Sequence, residues 1–231
     1  MYKTTMKSSP RLEIVQNIKT GNKENLLIKA AQLHGHYCPG LAMGVMASVY
    51  AMNYINAFSD GLEDILAITE TNNCFSDGVQ FVTGCSFGNN ALIFKDLGKT
   101  AFTLTKRDGN GIRLVSKAES QEEIRKVCPE FSEVYQQLVA NKDHSDEIKA
   151  RYKKLGVKRA FGTLNIDINK LFDIQNVNVE IPEYAPSHES FNCDVCGEST
   201  MSTRTFKKNN KIICLTCSGE KINTLTGHGI I

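Results

Sequence analysis

Two histidines and a cysteine alternate over five residues in His34-Gly35-His36-Tyr37-Cys38, and a Pro39-Gly40 step follows. Imidazole and thiolate together suit Zn, Ni or Fe, and fewer than four firm ligands would leave a coordination position open for chemistry. Residues 24–33 read as an amphipathic helix before the motif, and residues 41–56 as a more buried one after it. Proline suits the first position of a helix, where its missing N–H costs nothing. That places Cys38 at the N-cap, facing unpaired N–H groups and the positive end of the helix dipole, which favour thiolate over thiol. Cys38 is therefore a candidate metal ligand or nucleophile, with His36 as its candidate catalytic partner and His34 as a further ligand. The plainer alternative is a helix–turn–helix corner with a buried cysteine and incidental histidines.

The second informative stretch is residues 70–90. A short helix over 79–82, opened by Ser76 or Asp77, would be bracketed by Cys74 just before it and Cys85 just after it. Both cysteines are candidate ligands of the same core site. Asp77, Gln80 and Thr83, with Asn89 nearby, supply polar groups around it and are candidate cofactor-binding residues.

A third set closes the chain. Cys193-x2-Cys196 and Cys214-x2-Cys217 are separated by 17 residues, within the range expected for a four-cysteine zinc site. Each pair supplies two thiolates from one tight turn, and a closed tetrahedral set of this kind is structural. The 41 residues 191–231 cannot bury much core, so a metal would supply folding energy directly. They hold five Lys/Arg against three Asp/Glu, which argues against nucleic acid as their partner and for protein contact or capping.

The elements that must position these groups are legible in part. Leu12, Ile14, Val15 and Ile18 can pack one short helix after a frayed lead-in, and Gly21-Asn22 and Ser59-Asp60-Gly61 read as turns. Gly40, Gly44, Ala47, Ser48 and Ala51 permit close approach along the helix after the motif. Residues 65–69 read as a central strand, and 101–106 and 112–116 as a hairpin turning at 108–111. Ser120-Gln121-Glu122-Glu123 predicts a capping box that opens a helix. Pro129 restarts it, and another helix runs from Ser145 to Leu155 and is ended by Gly156. The charged side chains of that last helix, Glu147, Lys149, Arg151, Lys153 and Lys154, read as its solvated face. Residues 177–181 read as a strand, and 182–190 as a linker. Cys128, with no clustered partner, reads as structural.

The 231 residues carry a net charge of +2, with 41% hydrophobic and 23% charged side chains, as expected of a globular protein. No apolar run opens the first 22 residues and residues 41–58 are too short and polar to span a bilayer, so a cytoplasmic, membrane-free protein is expected. Its eight cysteines are then more simply metal or redox groups than disulfides.

The ordered motifs (residues 34–40, then Asp77-Gly78-Val79-Gln80 and Thr83-Gly84-Cys85, then the C-x2-C pairs) resemble the FmdE family. That family takes its name from the FmdE component of formylmethanofuran dehydrogenase, the molybdenum or tungsten enzyme of methanogenic carbon fixation. The resemblance runs from about residue 24 to about residue 220. It implies an α+β core over residues 1–185, a small treble-clef or zinc-ribbon domain over residues 191–231, and a homodimer. By position, His34, His36 and Cys38 match the first family motif, and Asp77, Gln80, Thr83 and Cys85 the second; Cys74 falls where relatives often carry Cys. Asn89 departs from the pattern, standing where relatives carry Lys. The function expected is that of a metal-binding accessory or oxidoreductase-associated protein, with a core metal (Zn, Ni or Fe) and a structural zinc. The alternatives are a stand-alone enzyme using Cys38 as an activated thiolate, and a regulatory protein that binds nucleic acid through the zinc module.

Overall fold

The computed structural model describes residues 9–58 and 62–231, so the expected turn at 59–61 lies outside the described residues. The chain divides into two compact units at Ile181/Pro182.

The first unit is built on a five-stranded sheet of order β2-β1-β3-β4-β5. Its strands are β1 (Ile65–Thr69), β2 (Leu92–Phe94), β3 (Ala101–Lys106), β4 (Asn110–Ser116) and β5 (Phe172–Asn178). β1 and β2 are parallel and the other neighbours antiparallel. The β3–β4 hairpin expected from the Asp-Gly-Asn-Gly run is present. The last strand starts at Phe172 and ends at Asn178, earlier than expected. Its antiparallel register with β4, from Asn110↔Asn178 to Ser116↔Phe172, decides this where an apolar run alone could not.

Ahead of the sheet come α1 (Leu12–Thr20), α2 (Lys23–His34) and α3 (Pro39–Ile55); α4 (Cys74–Thr83) links β1 to β2. α3 is the central element. Leu41, Ala42, Val45, Ala47, Ala51 and Met52 are essentially sealed from solvent. A helix apolar on all sides is a core helix. α3 meets α4 where neither carries a side chain: a Cβ on Gly44 would lie 2.2 Å from the Phe75 carbonyl oxygen, and one on Gly78 2.7 Å from that of Leu41. The expectation of close approach along α3 is thus met by backbone-on-backbone packing.

α4 is longer than expected. Its N-cap is Asn73, whose side chain accepts from the Phe75 N–H, so Cys74 is the first residue of the helix rather than a loop residue before it. Ser76 bonds the Thr71 carbonyl instead of capping. At the other end, Arg11 donates to the carbonyls of Phe81 and Val82 at 3.1 and 2.6 Å, satisfying the open C-terminus.

The remaining helices are α5 (Ser120–Val127), α6 (Phe131–Tyr135) continued by a π-helical turn (Gln136–Ala140), α7 (Asp146–Thr163) and α8 (Ile168–Leu171). Two sequence expectations fail here. Ser120 is not an N-cap: Glu119 holds that position, and the Ser120 hydroxyl lies 2.8 Å from that of Ser116. Gly156 does not stop α7, which starts at its Ser145 cap as expected but runs to Thr163. Packing of Ala160, Thr163 and Phe161 against the core outweighs the propensity cost of one glycine, about 1 kcal/mol.

The second unit holds the hairpins β6 (Ser190–Asn192) with β7 (Ser199–Met201) and β8 (Thr205–Lys208) with β9 (Lys211–Cys214), then a one-turn α9 (Leu215–Ser218) and a last pair, β10 (Leu225–Thr226) with β11 (Gly229–Ile230). The β8–β9 turn sits at Asn209-Asn210 as expected, both with positive φ of 51° and 59°. Knuckle, hairpin and short helix follow in treble-clef order. The fold is therefore α+β with a small C-terminal unit of zinc-binding type. Among the described residues, no helix is long and apolar enough to cross a membrane.

Candidate metal centre

Three helix ends converge on the core site. α2 ends at His34, and Gly35 (φ 89°) turns the chain out of the helix, its N–H bonding the Ala31 carbonyl. This left-handed turn releases His36, Tyr37 and Cys38 into the link before α3. Cys38 is the N-cap of α3, its sulfur accepting from the Leu41 N–H at 3.4 Å, and Pro39 occupies the first turn, both as expected. Cys74 opens α4 from the other side. Gly40 lets the two helix starts meet: a Cβ there would lie 3.1 Å from the Cys74 Cβ and 4.0 Å from the Cys38 sulfur.

The ligand atoms of His34, His36, Cys38 and Cys74 all lie within 4.8 Å of one another. His34 Nε2 is 3.7 Å from Cys38 Sγ. A tetrahedral ion at ordinary Zn–N and Zn–S lengths needs an N···S edge of ~3.6 Å. The other ring nitrogen, Nδ1, is 2.7 Å from the Asp77 carboxylate. That contact fixes the ring and leaves Nε2 for the metal, the outer-shell arrangement that orients ligating histidines. The His34 and His36 rings lie 4.3 Å apart between centroids. Four donors of this kind, two nitrogen and two sulfur, fit a transition metal ion.

The charge distribution differs from the sequence expectation. The hydrogen bond between the two sulfurs, and then burial, pushes the Cys38 thiol up, against the lowering effect of the Leu41 N–H. The same sulfur–sulfur bond holds Cys74 down to about 5, with both imidazoles adding to it. Without a metal the pair therefore carries one thiolate, held on Cys74 rather than Cys38. The helix start favours charge at Cys38 as expected; a second sulfur invisible to local sequence reverses the outcome.

The other expected site residues lie elsewhere. Cys85 follows Gly84 at the far end of α4, fully buried, 3.6 Å from the Ile65 carbonyl, and burial pushes its thiol up to about 11. The structure does not bring it to the cluster. Thr83 is also fully buried; its hydroxyl donates to the Val79 carbonyl and accepts from the Cys85 N–H. Gln80 reaches Asp77 at 3.4 Å. Asn89 ties its own loop, donating to the Gly84 carbonyl and accepting from the Ser86 and Ala91 N–H groups. Cys128 is buried beside Pro129.

Sequence reasoning missed the clamp that aims α4. Glu70, the residue after β1, makes two hydrogen bonds to Arg113 of β4, at 2.6 and 2.8 Å, reaching across β3. This bidentate pair holds the short segment leading into Cys74. Nothing short of the strand order could have paired two residues so far apart in the chain.

In the second unit, the sulfurs of Cys193, Cys196, Cys214 and Cys217 also lie within 4.8 Å of one another. The Val195 and Cys214 N–H groups point at the Cys193 sulfur, each at 3.4 Å, and the Cys217 N–H at that of Cys214, at 3.5 Å. Backbone N–H groups, that of Cys196 first, hold Cys193 down to about 6. Cys196 and Cys214 sulfurs are 3.9 Å apart, against an S···S edge of ~3.8 Å for tetrahedral zinc. Gly197 (φ 78°) closes the knuckle, its N–H on the Cys193 carbonyl. The group fits a closed four-thiolate metal site.

A family model described as "FmdE, Molybdenum formylmethanofuran dehydrogenase operon" matches residues 33–173, more than half of the chain. A protein of Archaeoglobus fulgidus described as a probable S-adenosyl-L-methionine-binding protein is 38% identical over 212 residues. The match takes in 89% of this chain but 56% of the relative, so the chain spans about half the length of that curated protein. Among solved structures, an FmdE-like protein of the tungsten formylmethanofuran dehydrogenase type from Syntrophus aciditrophicus shares the fold, with a TM-score of 0.54 over 85% of this chain and 92% of that one, at 22% identity. The chain belongs to the FmdE family.

Proposed function

We propose that this protein holds a transition metal ion in the core through His34, His36, Cys38 and Cys74 and a structural zinc through its four C-terminal cysteines, and that it serves an oxidoreductase as an accessory subunit or metal-handling partner in the cytoplasm. The observation that carries the reading is the pairing of a four-donor N2S2 cluster with Asp77 on the outer nitrogen of His34. The metal would supply Lewis acidity or a soft binding position there. The chain's own part is to hold the donors: three helix ends set the sulfurs and imidazoles, and Asp77 keeps His34 Nε2 turned inward. Because all four donors are present, exchange at the centre falls to its exposed member, His36. A homodimer is part of the reading, supported by the half-exposed Tyr50 and Tyr54 along one face of α3.

The test is metal content per chain after anaerobic purification without a histidine tag, for wild type, Cys74→Ala and Cys193→Ala. Two metals in wild type and one in each variant support two independent centres. One metal in wild type, lost only with Cys193→Ala, overturns the core centre.

A further inference from the structure

One end of the core site opens into a cleft of ≈ 1630 Å³ whose wall reaches His36 and Cys38. The cleft lies between the end of α2 and the layer formed by α5, α6, the π-helical turn and α7. Five Lys/Arg side chains line it, Arg125, Lys142, Lys149, Lys153 and Arg159, together with His36 and His144, and no Asp or Glu is among the lining residues. In a chain of net charge +2 this is a marked segregation of charge. None of the five cations takes part in an ion pair among the described residues, whereas Lys29, Arg107, Arg113, Lys117, Lys126, Lys158 and Lys170 all do. The Arg159 Nε is buried without a hydrogen-bond partner.

The rest of the wall is aromatic and apolar. Phe131 packs on Tyr152 with ring centroids 5.1 Å apart, and the Arg159 guanidinium lies 4.7 Å over the Phe131 ring. Tyr135 and Val139 line the cleft while remaining about half exposed. The π-helical turn supplies Leu138 and Val139 to the wall, and such turns recur at functional sites. An apolar cavity of ligand size with a few convergent charges of one sign is a small-molecule site, and unpaired cations in it call for an anion.

We propose that this cleft binds a small organic polyanion that carries a planar ring, its charges met by Lys149, Lys153 and their cationic neighbours and its ring laid on Tyr135 and the Phe131–Tyr152 pair. Lys149 and Lys153 stand one helical turn apart on α7, so both reach one ligand. Tyr135 offers a flat face at the cleft wall. The proposal does not depend on the metal, since the residues that carry it are not ligands of either cysteine cluster.

The experiment is a fluorescence-anisotropy titration of the full chain with pyranine, a planar pyrene trisulfonate, followed by displacement with adenosine triphosphate, inorganic tripolyphosphate or adenosine. Binding is expected to weaken at least about tenfold in Lys149→Ala/Lys153→Ala, the loss of two charge-assisted contacts. A control of equal charge change, Lys117→Ala/Lys126→Ala, should leave it within about twofold, because exposed cations away from the cleft contribute little. Tyr135→Ala should weaken pyranine severalfold, and adenosine triphosphate should displace it better than tripolyphosphate or adenosine does. The proposal is overturned by absence of pyranine binding, by equal weakening in the two double variants, or by displacement that tripolyphosphate achieves as well as the nucleotide. Metal content of the cleft variants, measured in parallel, should stay at the wild-type value, which separates failure of this site from failure of the metal centre.

Discussion

The Asp77 carboxylate lies 2.7 Å from Nδ1 of His34, and on the far side of the same ring Nε2 lies 3.7 Å from the Cys38 sulfur. One imidazole thus spans an acidic residue of α4 and a thiol at the start of α3. Asp77→Asn keeps a hydrogen bond but removes the charge that makes the ring a stronger donor. Core-metal affinity should fall about 10–100-fold, read by chelator competition, with C-terminal zinc unchanged. Unchanged core affinity would mean that His34 is not a ligand.

The two cysteines at opposite ends of α4 separate cleanly. Cys74→Ala should empty the core centre, while Cys85→Ala should retain it and lower unfolding stability by only ~1 kcal/mol, the loss of one buried sulfur. Metal analysis beside denaturant unfolding distinguishes them. Loss of core metal in Cys85→Ala with native stability would place Cys85 in the site after all.

Gly78 packs where a Cβ would lie 2.7 Å from the Leu41 carbonyl oxygen. Backbone cannot yield as a flexible side chain does, so Gly78→Ala should destabilise the core by about 1–3 kcal/mol and move Cys74 away from Cys38. The thermal midpoint should fall, and core-metal occupancy should fall with it while zinc stays bound.

The Arg113 hydrogen bonds hold the Glu70 carboxyl below the usual carboxylate range. A depressed folded-state pKa stabilises above the unfolded value, ~4.3 for Glu, and that contribution is lost as pH falls through the folded value. Wild type should therefore lose stability on acidification below about pH 4, and Glu70→Gln should lose less over the same window. Arg113→Leu leaves the buried carboxylate without its partner and should cost about 3 kcal/mol at neutral pH. Unfolding free energies measured across pH check both signs.

In the second unit the four thiolates should act as one. Cys193→Ala, or a strong chelator applied to wild type, should release the metal and unfold residues 182–231 while the first unit keeps its melting transition. Hydrogen exchange resolved by segment reads this directly. Full protection of β8 and β9 without metal would make the cysteines dispensable for folding.

The motif at residues 34–40 was legible because its chemistry is local: a helix end, a positive-φ glycine, an N-cap and a first-turn proline all lie within seven residues. The C-terminal cysteines were legible for the same reason. Which distant cysteine completes the core set was open from sequence. Cys74 and Cys85 both flank one apolar run, and only Asn73 taking the cap fixes which end of α4 faces Cys38. The cleft was not legible at all. Lys149 and Lys153 resemble any solvated helix face until α5, α6 and the turn after them close over it, and those segments come from separate stretches of chain. Gly156 misled because helix ends are set by packing as much as by propensity.

The glycine contacts between α3 and α4 carry a consequence for how this site is inherited. Its four donors can be kept while the site is lost, because a single methyl at position 44 or 78 would wedge apart the helices that bring the sulfurs together. The hallmark by which the centre can be traced among other chains is therefore six residues, and two of them never touch the metal.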